Sequence, residues 1–103
     1  MSDRYWSDDS RKIYSDGSFE VLWGTYKRDK RKVLGVHWCN TNDTYACPKL
    51  YGGELGWLVV PYFLTASILN CLLLTVRANP KCGSSDEIVG VINEVATQEK
   101  MAK

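Results

Sequence analysis

No two of the four cysteines, Cys39, Cys47, Cys71 and Cys82, stand two to four residues apart, so the chain lacks the close cysteine pair from which structural zinc sites are built. No metal is expected. The tandem Gly52-Gly53 is not followed by the lysine and hydroxyl of a phosphate loop, and no Gly-x-Gly-x-x-Gly opens a helix; nucleotide binding has no support, and no cofactor is expected. An excess of charge of one sign is missing too. Thirteen Lys and Arg against twelve Asp and Glu leave +1, which argues against a wholly basic nucleic-acid binder and against an acidic solvating tail. There is no internal repeat and no low-complexity tract. The residues from Met1 to Asp16 are polar and mixed in charge, without the basic start and short apolar run of an export signal. The cysteines are therefore expected to be reduced thiols in the cytoplasm rather than disulfides, with Cys71 serving as a small core hydrophobe.

What remains is ample material for a core. A chain of 103 residues with 45% hydrophobic and 12% aromatic content, including four Trp and six Tyr, is one folded domain and too apolar to stay disordered. One stretch needs weighing: Leu55 to Val76 runs 22 residues without a charge, long enough to span a bilayer. Against a span stand its polar residues, Thr65, Ser67, Asn70 and Thr75, and above all Pro61. That proline parts a β-rich piece, Gly56 to Val60, from a leucine-rich piece that starts at Tyr62. A buried strand leading into a buried helix is the expectation, with no membrane association.

Residues 1–10 lack periodicity and read as a mobile arm, which Tyr5 and Trp6 could pin to the surface. Arg11 to Tyr14 is a short strand closed by Asp16-Gly17, a pair suited to a hairpin turn. Ser18 to Tyr26 alternates, with Phe19, Val21, Trp23 and Thr25 on one face and Glu20, Leu22, Gly24 and Tyr26 on the other. Val33 to Cys39 is extended again, Leu34, Val36 and Trp38 pointing one way. The resulting meander is expected to leave one face polar while the other packs on helices. Asn40 to Gly53 reads as a long loop, Gly56 to Val60 as a fourth strand, and Tyr62 to Val76 as a helix so apolar all round that it is nearly encased or meets another subunit. The last helix opens on Ser84 with Glu87 three residues on, a capping box, and carries Ile88, Val91, Ile92 and Val95 as its apolar stripe.

Lys27 to Lys32 carries a local +4, leaving −3 for the rest. Aromatics are not interleaved with these charges, so a solvated hairpin end is expected and nucleic acid is not. His37 and Cys39 point the same way, yet no third residue in the sequence orients the imidazole for a Cys-His nucleophile. The carboxylates Asp8, Asp9, Asp16, Asp43, Glu54, Asp86 and Glu87 are scattered, and none makes an acid-base pair. His37, Trp38, Tyr45, Tyr51 and Trp57 are the candidate ligand-binding residues, as aromatics and an imidazole around a long loop. No catalytic residue is identified.

Val33-Leu34-Gly35-Val36-His37-Trp38, the loop with Cys47-Pro48, and Gly56-Trp57-Leu58-Val59-Val60-Pro61 leading into a helix resemble small orphan proteins carried on integron gene cassettes. The resemblance covers Ser18 to Val76 and rests on strand-and-loop character. It implies a compact α+β domain, often self-associating, of unassigned activity, and carries over no catalytic residue; the loop with Cys47 departs from the pattern.

The expectation is thus an α+β domain, an antiparallel meander of three or four strands with two helices packed on one face. Its surplus of apolar helix surface points to a homodimer. Three functions follow in order: a self-associating interaction module, with a host protein as a further partner; a small-molecule-binding domain using the aromatic loop; and an enzyme with Cys39 or Cys47 as nucleophile.

Overall fold

The structure, a computed structural model, describes residues 6, 7, 9–26, 31–38 and 56–101, of Met101 the backbone alone. The fold is α+β. Four strands, β1 (Arg11–Ser15), β2 (Phe19–Thr25), β3 (Lys32–Trp38) and β4 (Leu58–Val59), form one antiparallel sheet in chain order, followed by helices α1 (Thr65–Ala78) and α2 (Ser85–Met101).

Local chemistry sets the first hairpin. The Asp16 amide donates to the Phe19 carbonyl at 3.2 Å, so the central pair of the turn is Gly17-Ser18, one residue beyond the expected pair. Gly17 takes the left-handed φ of 92° that such a turn needs. Asp16 instead lends its carboxylate to the amides of Ser18 and Phe19 at 2.9 and 2.8 Å, and these bonds hold its carboxyl below the usual range. A bulge between Lys12 and Tyr14 lets Ile13 and Tyr14, neighbours in sequence, both turn inward.

Strand alternation sends Val21, Trp23, Leu34 and Val36 to the helix side. There they bury against Leu69, Leu72 and Val76 of α1 and Ile88, Val91 and Val95 of α2, each such side chain stabilising the fold by about 1.5–3 kcal/mol. Charge then fixes α2 across the strands. Glu94 receives Arg11 at 3.0 Å and Lys32 at 3.1 Å, and Glu87 takes Arg11 Nε at 3.2 Å. Burial works to raise the Glu94 carboxyl, but its cationic partners Lys32 and Arg11 hold it below its ordinary value. The Gln98 side-chain amide closes both ways on the Lys32 backbone, accepting at 2.8 Å and donating at 3.1 Å. Ser84 caps α2 through the Glu87 amide at 3.3 Å, while the Glu87 carboxylate serves Arg11 rather than completing the box.

Three expectations are corrected. The second sheet face is not polar: Leu22 and Val33 are covered there by Trp6, with Tyr26, Trp57 and Val59 around them. Trp6 bridges to Tyr26 and is 5% exposed, and so ties the chain down at this residue, the alternative that the sequence left open for it. The first helix is not encased, since only Thr65, Leu69, Leu72 and Val76 of α1 are buried. Cys71 is exposed and Cys82 is the buried thiol. The chain enters α1 through a 3₁₀ turn, Tyr62–Leu64, whose start has no side-chain cap. Pro61 does separate strand from helix, and no helix of the described residues is long and apolar enough to cross a membrane.

Candidate functional site

The register of β2 on β3 sets Glu20 opposite His37 on the second sheet face. The imidazole Nε2 lies 2.7 Å from a Glu20 carboxylate oxygen and Nδ1 lies 2.9 Å from the Gly56 carbonyl. Both contacts are hydrogen bonds at once when both ring nitrogens carry protons. Trp57 stacks on the ring at 3.6 Å between centroids and 17° between planes, and His37 is 5% exposed. The other Glu20 oxygen accepts from Lys12 at 2.9 Å and from Ser15 at 2.8 Å. Burial pushes the Glu20 carboxyl up, but the bonds from His37, Lys12 and Ser15 outweigh it and bring it down to about 2.

This cluster is a clamp. Both edges of the imidazole and one of its faces are occupied by the protein, which leaves no ring nitrogen to bind a ligand or activate a nucleophile; the Gly56-Trp57 entry to β4 is what it holds. Glu20 is the residue that sequence reasoning missed. It is the one carboxylate in the Ser18 to Tyr26 run, and only the β2–β3 register reveals its partner.

Of the candidate ligand-binding residues, His37 and Trp57 meet each other. Trp38 lies on the helix-bearing face, edge to face with Phe19 at 5.7 Å and 45% exposed. Tyr45 and Tyr51 lie outside the described residues, as do Cys39 and Cys47. Two cations of the basic hairpin end are engaged: Arg31 sits 3.8 Å over the Tyr62 ring, and Lys32 pairs with Glu94. A shallow depression of about 380 Å³ lies elsewhere, lined by Lys32 and by Gly90, Asn93, Glu94, Thr97 and Gln98 of α2.

Among the described residues, the outer side of α1 and of the turn before it carries large exposed apolar side chains. Phe63 is 82% exposed and Leu74 68%, with Leu64 and Cys71 also exposed. No charged residue occurs from Pro61 to Val76. Polar side chains on this side turn back on the helix: Asn70 donates to the Ala66 carbonyl at 3.0 Å and Thr75 to the Cys71 carbonyl at 2.9 Å. One donor of each is thereby spent locally, and the large side chains presented outward between these polar groups, Phe63 and Leu74, are apolar.

No protein-family model matches the chain, and searches of curated proteins and of solved structures return no significant match.

Proposed function

We propose that the chain is a small protein-interaction module whose first partner is a second copy of itself, met through the outer side of α1. The observation that carries this is the pair Phe63, on the turn before α1, and Leu74, on α1, large apolar side chains more than two thirds exposed in a run without charge from Pro61 to Val76. An uncharged apolar surface gains by meeting another of the same kind, whereas a charged partner would leave its own groups desolvated and unpaired. As part of the same proposal the protein acts in the cytoplasm, and its relation to integron-cassette proteins stands as a proposal. Small-molecule binding at His37 and Trp57 loses ground, because the His37 ring is already engaged by Trp57, by Glu20 and by the Gly56 carbonyl.

Sedimentation equilibrium tests the reading. A pair of short helices buries less than a standard interface of about 1,600 Å², so a micromolar dissociation constant is expected. The weight-average mass should rise with concentration from 11.7 kDa toward twice that value. Leu74→Glu should hold the chain at the monomer mass throughout with its thermal unfolding unchanged. A wild-type chain that stays monomeric to roughly 500 μM, where the binding free energy would be weaker than about −4.5 kcal/mol, contradicts it.

A further inference from the structure

The imidazole of His37 is held between two groups that can only accept. Nε2 faces the Glu20 carboxylate at 2.7 Å, and Nδ1 faces the Gly56 carbonyl at 2.9 Å. Glu20 is ionised, its second oxygen accepting from Lys12 and Ser15, and a backbone carbonyl has no proton to offer. A neutral imidazole carries one N–H and one lone pair, so either tautomer turns a lone pair on an oxygen at hydrogen-bond distance. Only the imidazolium satisfies both contacts. Burial sharpens the choice, because His37 is 5% exposed and Trp57 covers one face of the ring, leaving water little access to replace a lost partner.

Loss of one proton acts unequally on the two contacts. The remaining N–H stays with the carboxylate, because a charged acceptor makes the stronger bond, and the Gly56 carbonyl is the partner given up. That carbonyl belongs to the entry to β4. The strand beyond it is joined to β3 over only two residue pairs, Gly35 with Val59 and Val36 with Leu58, and then by the Val60 amide on the Leu34 carbonyl at 2.9 Å. So short a strand depends on the contact at its start.

We propose that His37 is a pH latch: with both nitrogens protonated it ties the Gly56-Trp57 segment to β3, and on losing the Nδ1 proton it keeps Glu20 and releases that segment. Among the described residues, the charged groups that face it are Glu20 of β2 and, behind that carboxylate, Lys12 of β1; residues 56–60 bring none. Glu20, at about 2, is a carboxylate on both sides of the step, so the proton that moves is the imidazole's. The latch lies on the sheet face opposite α1 and is independent of the self-association reading.

An NMR titration of the full nitrogen-labelled chain tests it. His37 is the one histidine of the sequence, so long-range proton-nitrogen spectra of the imidazole read its two nitrogens without ambiguity. Both should be protonated at the acid end of the titration and Nε2 alone at the alkaline end. The Trp57 amide, next to the Gly56 carbonyl, should shift with the same midpoint while the amides of α1 hold still. Above that midpoint the Val60 amide should exchange with solvent roughly tenfold faster, beyond the rise that base catalysis gives every amide, as expected for one lost hydrogen bond. His37→Gln cannot titrate and should remove the midpoint from both Trp57 and Val60. A proton count on His37 that stays at one or at two over the whole pH range of the folded chain overturns the latch. So does loss of the Nε2 proton in place of the Nδ1 proton, or a complete titration that leaves Trp57 and Val60 unmoved.

Discussion

Gly35→Ala is expected to cost the fold about 3 kcal/mol, a large loss for a single methyl group. Gly35 faces the second side of the sheet, where a Cβ would sit 2.7 and 2.9 Å from two ring atoms of Trp6 and 3.2 Å from the Trp57 Cβ. The Trp6 ring is rigid and lies against the sheet, so it must leave rather than bend. Among the described residues its indole N–H has no hydrogen-bond partner, so the ring is held by packing, and its displacement forfeits most of the ~3–5 kcal/mol typical of a buried tryptophan truncation. Urea unfolding of a double-mutant cycle separates this from a generic effect on strand β3. With Trp6→Ala in place the added cost of Gly35→Ala should fall below about 1 kcal/mol. Equal costs in both backgrounds would show that Trp6 does not depend on the glycine.

Acid should weaken the same face through Glu20. Its carboxyl is held at about 2 against an ordinary 4.5, and a carboxyl depressed by folding contributes stability above the ordinary value that is lost as pH falls through the depressed one. The loss therefore runs between roughly pH 5 and pH 2 and amounts to at most about 3 kcal/mol. The side chain is 15% exposed, so little of this is screened away. Glu20→Gln removes the charge, leaves Lys12 and His37 without their carboxylate, and should cost about 2 kcal/mol at neutral pH. It should also flatten the fall of unfolding free energy in that acid window. Asp16 and Glu94 are depressed as well and supply a residual slope common to both proteins. Parallel profiles for wild type and Glu20→Gln would contradict the clamp.

Much of the sheet was legible because its signals are local. Phe19, Val21 and Trp23 alternate with Glu20, Leu22 and Gly24, and that period of two needs no partner to be read. The Ser84 cap and the Pro61 break are equally local. Other features were hidden for definite reasons. A bulge at Lys12–Tyr14 inserts one residue and turns Ile13 and Tyr14 the same way, which strict alternation cannot announce. Trp6 covers Gly35 across nearly thirty residues of sequence, and nothing near either one signals it. In α1 the difficulty is excess: apolar residues occur at nearly every position, so periodicity does not separate the buried Leu69 and Leu72 from the exposed Phe63 and Leu74. The free side of the helix became visible only once the sheet and α2 had claimed the other. Glu20 as partner to His37 required the strand register, which depends on a hairpin connection that composition does not fix.

The most direct test of the account is an isotope-filtered NMR experiment on an equimolar mixture of labelled and unlabelled chains, which reports contacts between copies alone. The account predicts intermolecular contacts from the Leu74 methyls and the Phe63 ring, confined to the outer side of α1. Intermolecular contacts that come from any other surface, or none at concentrations well above a micromolar dissociation constant, would contradict it.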